Sequence, residues 1–211
     1  MTRERIKECG ILPVVRIEKA EHAVALAEAL LSAGIGLIEV TFRSEAAAEA
    51  IERITRSLPE MLVGAGTVRR VDQLDEALKS GAKFIVTPGF NRQVVNAAVN
   101  RHIPIYPGVA TAGEIEAAGE YGLTTLKFFP AEVSGGVAAL KAFFGPYPEI
   151  CFIPTGGVGP QNLESYAALP NVIAVGGTWI TKSEGAEPDF SLIKKRAAEA
   201  LAIINRVRSA G

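Results

Sequence analysis

"MLVGAGTVRRVDQLDEALKSGAKFIVTPG", residues 61–89, is the stretch on which the fold turns. It opens on an apolar run (61–68), passes through the amphipathic segment RVDQLDEALKSG (70–81) and closes on a second apolar run (83–89). A near-continuous apolar run reads as a strand buried on both faces. A helix between two such strands returns the chain so that they lie parallel. Gly81 stands where a helix C-terminus favours a residue free to turn left-handed.

The same unit recurs on both sides. Further apolar runs are ILPVVRI (11–17), GLIEVTF (36–42), IPIYPGV (103–109), TTLKFFP (124–130), ICFIPTGG (150–157) and VIAVGGT (172–178). Amphipathic segments such as AEHAVALAEALLSAG (20–34) separate them, and Gly34 and Gly122 repeat the glycine stop. Eight strand–helix units in a chain of 211 residues predict a (β/α)8 TIM barrel, a single domain over residues 1–211. A short extra helix is expected at residues 2–9 and a long one from about Pro188. The competing fold is an open doubly wound sheet. Against it, RIEKAEHA follows the first strand where a glycine-rich dinucleotide fingerprint would stand.

Composition narrows the function classes. The formal net charge is −1 and the basic residues form no stripe, so neither nucleic acid nor a membrane surface is an expected partner. No apolar stretch is long enough for a membrane span. The opening MTRERIKECG lacks the apolar centre of a signal peptide, so a cytoplasmic location is expected. Cys9 and Cys151 form no motif and read as reduced thiols, Cys151 in the core. His22 and His102 fall in separate helical patterns. No spacing resembles a metal-ligand set, so no metal is expected.

Chemistry in such barrels sits at the C-terminal ends of the strands. In LIEVTFR, alternation puts Ile38, Val40 and Phe42 toward the helices and Leu37, Glu39, Thr41 and Arg43 toward the interior. The same parity in TTLKFFP points Leu126 and Phe128 outward, and Thr125, Lys127 and Phe129 inward. Buried charges need partners. Glu39 could pair with Arg43, or Lys127 could be its counter-ion. Alternatively, Lys127 is a Schiff-base nucleophile, since apolar surroundings disfavour an ammonium and favour the free amine. The glycine pairs in PTGGV (154–158) and GGTW (176–179), each beside a threonine, let backbone N–H groups approach a phosphate.

The motifs EVTFRS (39–44), GAGTV (64–68), TPG (87–89), KFFPAE (127–132), GGV (135–137), PTGGV and GGTW, in this order and spacing, resemble the 2-keto-3-deoxy-6-phosphogluconate (KDPG) / 4-hydroxy-2-oxoglutarate (KHG) aldolase family over nearly the whole chain. The resemblance implies a (β/α)8 barrel, a homotrimer, and class I (Schiff-base) aldol chemistry that uses neither metal nor organic cofactor. It implies that Lys127 forms an imine with the substrate's 2-keto carbon and that Glu39 is the general acid/base. Arg43 would bind the substrate carboxylate, Thr67 would contact the pyruvyl portion, and Pro88 and Phe129 would wall the pocket. Thr155, Gly156, Gly157, Gly176, Gly177 and Thr178 would hold the distal phosphate, and Arg16 matches an arginine found in part of the family. The implied substrates are a phosphorylated 2-keto acid and pyruvate, with 4-hydroxy-2-oxoglutarate as a second substrate for cleavage. Thr178 departs from the family's usual serine but keeps the hydroxyl. The rival readings are a sugar-phosphate epimerase or isomerase using Glu39 and Lys127 without an imine, and a non-catalytic phosphosugar-binding barrel.

Overall fold

Helix and strand alternate along the described chain, except where two short strands follow one another around Pro107. The computed structural model describes residues 2–182 and 187–209. Its elements are α1 (Thr2–Cys9), β1 (Ile11–Val15), α2 (Ala23–Ser32), β2 (Leu37–Thr41), α3 (Ala47–Ser57), β3 (Leu62–Gly66), α4 (Val71–Lys79), β4 (Phe84–Val86) and α5 (Arg92–Asn100). They continue as β5 (Ile105–Tyr106), β6 (Gly108–Val109), α6 (Ala112–Gly119), β7 (Thr125–Phe128), α7 (Gly136–Phe144), β8 (Cys151–Pro154), α8 (Leu163–Ala167), β9 (Val175–Gly177) and α9 (Phe190–Ser209).

Every strand pairing is parallel. One ladder runs β5-β4-β3-β2-β1-β9 and a second runs β6-β7-β8. Bridges Phe152↔Val172 and Thr155↔Gly176 tie β8 to the β9 side, so the whole is a curled parallel sheet. β1, β2 and β3 are buried at all positions, as strands with both faces covered must be. In the 61–89 unit, Gly64 lies opposite Phe84, and a side chain at 64 would overlap the Phe84 ring. Gly34, Gly81 and Gly122 all take positive φ beyond their helices. Arg3 Nε donates to Thr125 Oγ1 at 2.9 Å, which anchors α1 beneath the first residue of β7. α1 therefore sits at the N-terminal ends of the strands, opposite the mouth.

Several expectations need correction. The eight expected strands are nine among the described residues, in two ladders. The fifth run splits because Pro107 has no N–H to donate, although its carbonyl still accepts from Lys127 N at 2.9 Å. In the eighth run only Val175–Gly177 forms a strand. His102 is not helical; it sits in the turn after α5 with φ +56°. Cys151 is at the core's edge, partly exposed, with Arg3 Nη2 3.5 Å from its sulfur.

Candidate active site

Glu39 is the third residue of β2 and Lys127 the third of β7, strands in different ladders. The curl of the sheet makes them face each other. Lys127 Nζ donates to Glu39 Oε1 at 3.3 Å, and the two side chains are only 6% and 1% exposed. The inward parity read for both strands is what makes this contact. The Glu39–Arg43 pair considered from sequence does not form. β2 ends at Thr41, so Arg43 lies past the strand, exposed, with Nε donating to Thr41 Oγ1 at 3.1 Å. Thr41 in turn donates to the Val15 carbonyl of β1 at 2.8 Å.

The neighbouring residues are shaped to the pair. Gly66 lies opposite Thr41 on β3, and a Cβ there would overlap the Glu39 carboxylate. The ammonium also stands 5.3 Å from the centroid of the Phe129 ring, within cation–π range. Desolvating two charges is costly even when they pair, and removing one partner is costlier still, about 3–5 kcal/mol. The second carboxylate oxygen, Glu39 Oε2, is buried with no hydrogen-bond partner among the described residues. It is a desolvated acceptor beside the lysine.

Lys127 forms part of the wall of a cavity of about 100 Å³ at the C-terminal ends of the strands. Arg43, Thr67, Pro88, Phe129, Thr155, Gly156, Gly157, Gly177 and Thr178 line it too. Thr41, read from sequence as inward, also lines it, as do Val14 and Val158, which were not singled out as site residues from sequence. Val14 is an ordinary residue of β1 and Val158 an apolar residue of the loop after β8, and nothing local marks either. Thr67 has φ +56°, a strained conformation for a threonine, of a kind that clusters at functional sites. Glu39 lies behind the lysine and Gly176 behind Thr155. Arg16 is not on this cavity. It lines a neighbouring one of about 300 Å³, where Arg43 and Thr178 recur, and its Nε pairs with Glu18 at 2.7 Å.

The far end of the cavity is built from backbone. Gly156 and Gly157 have φ of +98° and +80°, which residues with a Cβ rarely adopt. Thr155 is buried and its hydroxyl donates to the Ile153 carbonyl at 3.4 Å. The same hydroxyl fills the space that a side chain at 176 would need. Thr178 is exposed at the cavity. Among the described residues, no group of three His, Cys, Asp or Glu is placed to hold a metal. The arrangement therefore offers an amine able to attack a carbonyl, a carboxylate to move protons, a guanidinium nearby, and a polar backbone end suited to an anion.

A family model described as KDPG and KHG aldolase matches residues 2–196. The KHG/KDPG aldolase of Escherichia coli (strain K12) is 43% identical over 192 residues, 90% of each chain. The 2-keto-3-deoxy-6-phosphogluconate aldolase of Zymomonas mobilis ZM4, solved with 3-phosphoglycerate, superposes with a TM-score of 0.90 at 36% identity, covering 95% of this chain and 94% of that one. The KDPG aldolase of Legionella pneumophila, solved with pyruvate captured as a covalent carbinolamine intermediate, has a TM-score of 0.86 at 35% identity and covers 98% of both chains.

Proposed function

The chain belongs to the KDPG and KHG aldolase family and is a carbon–carbon lyase, and from that premise we propose how its residues carry the reaction. The carrying observation is the buried Lys127–Glu39 pair at 3.3 Å on the wall of the cavity. The family membership sets aside the epimerase reading, which would use the same two residues without an imine.

In the proposed mechanism the pair shares a proton. When it moves to Glu39, Lys127 is left as a free amine and attacks C2 of 2-keto-3-deoxy-6-phosphogluconate. Glu39 then returns the proton to the carbinolamine hydroxyl, which leaves as water and gives a protonated imine. The Glu39 carboxylate next takes the C4 hydroxyl proton. The C3–C4 bond breaks, its electrons move to C3 to form an enamine, and glyceraldehyde 3-phosphate departs. Glu39 gives the proton it took to C3 of the enamine and is again a carboxylate, and water hydrolyses the resulting imine to pyruvate and restores Lys127. The covalent route divides one difficult step into several easier ones.

Arg43 holds the substrate carboxylate, a role suited to a planar guanidinium. Thr67 contacts the pyruvyl portion, between Pro88 and Phe129. Residues 155–157 and 176–178 take the phosphate. Arg16, on the adjoining cavity, lies along the outer wall of that end. 4-Hydroxy-2-oxoglutarate, shorter and without phosphate, is a second and poorer substrate. The proposed architecture is a complete single-domain (β/α)8 barrel. In support, β5 and β6 are separated only by Pro107, two bridges join β8 to the β9 side, and nearly all the buried apolar residues described form one cluster. We further propose a homotrimer in the cytoplasm; the exposed apolar Val133 and Phe144 offer surface for assembly. No described helix is long and apolar enough to cross a membrane. An aldol-cleavage assay on the purified protein, with the phosphorylated and unphosphorylated keto acids, tests the reading. Absence of pyruvate release from both would overturn it.

A further inference from the structure

The proposed phosphate loop, residues 155–157, has every carbonyl held from outside the cavity. Ala131 N donates to Thr155 O at 2.8 Å and Glu132 N to Gly156 O at 3.1 Å. Asn162 Nδ2 donates to Gly157 O at 3.2 Å, while its own Oδ1 accepts from Gly159 N at 2.8 Å. In a trans peptide the N–H points opposite to the preceding C=O. Carbonyls turned toward residues 131, 132 and 162 therefore turn the amides of Gly156, Gly157 and Val158 the other way. Those three residues line the cavity and residues 131, 132 and 162 do not. Among the described residues no backbone acceptor takes these three amides.

Glu132 is the centre of this arrangement. Its Cβ and Cγ pack against Gly157 where a side chain at 157 would have to go. Its carboxylate accepts a short hydrogen bond from the Tyr166 hydroxyl. Tyr166 is wholly buried on α8. Burial and the Glu132 carboxylate both hold its phenol far above the ordinary range, so it remains a donor throughout the working pH range. The acid thus joins the exit of β7 to α8 around the back of the loop.

We propose that Glu132, Tyr166 and Asn162 are positioning residues for the phosphate end of the substrate: they fix the carbonyls of residues 155–157 outward and so present three amides to the anion. The inference rests on the function proposed above, and its test separates the two. The readouts are the ratio of kcat/KM for 2-keto-3-deoxy-6-phosphogluconate to that for 4-hydroxy-2-oxoglutarate, and exchange of the pyruvate methyl protons with deuterated water, which needs only the Lys127 end. Tyr166→Phe and Asn162→Ala should each lower the ratio about tenfold, the equivalent of roughly one hydrogen bond to a charged group. Exchange should stay within about twofold of the parent, since a loss confined to binding the distal group leaves the chemistry of the other end intact. Glu132→Ala should lower the ratio likewise, and Glu132→Gln, which keeps an acceptor for the phenol, should retain it. An unchanged ratio in Tyr166→Phe and Asn162→Ala overturns the inference, as does a parallel fall in exchange, which would mark a general structural role. So does an equal loss in Glu132→Gln and Glu132→Ala. A parent enzyme with no preference for the phosphorylated substrate would instead overturn the reading of the loop itself.

Discussion

At one end of the cavity the functional groups are side chains, and at the other they are main-chain groups. Glu39 and Lys127 are buried, charged and bonded to each other across two ladders. Residues 155–158 present peptide groups, which, on the inference proposed above, the side chains around them aim. The contrast predicts opposite sensitivities. Changing a functional group should silence the first end, whereas the second should respond to added bulk and to lost alignment. The first end also carries more energetic risk, because each charge is tolerable only while its partner remains.

The largest effect should come from Lys127→Met. Cleavage should fall to background, and pyruvate with borohydride should no longer add the mass of a reduced pyruvyl group. In the parent that adduct should map to Lys127; its appearance on Lys83 or Lys141 would dismantle the assignment. Glu39 is left buried without its partner in this variant, so it should also be destabilised by about 3–5 kcal/mol. Adding Glu39→Gln should recover much of that loss in a denaturant titration.

Next comes Glu39→Gln alone. It should still trap pyruvate but cleave roughly 10²–10⁴-fold more slowly, the usual weight of general acid–base catalysis. Parent-rate cleavage would reduce Glu39 to a counter-ion. At the main-chain end the expected change is smaller and substrate-selective. Thr178→Val keeps the shape and removes a hydroxyl, so KM for the phosphorylated substrate should rise about tenfold with little change for 4-hydroxy-2-oxoglutarate. Equal losses on both substrates would blur the two ends. Gly177→Asp is a coarser probe, because a Cβ there would overlap the Trp179 ring and displace it too. The smallest effect, none, is expected from a chelator; activity lost in it and regained with a divalent metal would point to a different class of aldolase.

The first end was legible in the sequence and the second only partly. Period-two alternation is a local rule, so the inward positions of Glu39, Thr41 and Lys127 follow from a few neighbours each. Glycine pairs are visible as residues, but what aims them is not. Glu132 meets Tyr166 34 positions later, with no period or motif connecting the two. Arg43 lies beyond the last paired residue of β2, where alternation stops being a guide, and so it turned to Thr41 rather than Glu39. The fifth apolar run looked continuous because composition does not register the single donor that Pro107 lacks.

The separation of 88 residues between Glu39 and Lys127 has a consequence for how the protein comes into being. At a synthesis rate of about 5–20 residues per second, the lysine emerges roughly 4–18 s after the glutamate. Until β7 docks, the carboxylate has no ammonium and the amine has no base. A nascent or half-assembled chain should therefore be inert toward ketones. Adduct formation with pyruvate would then time the meeting of the two ladders during refolding, and could be read beside a spectroscopic signal that reports helix formation alone.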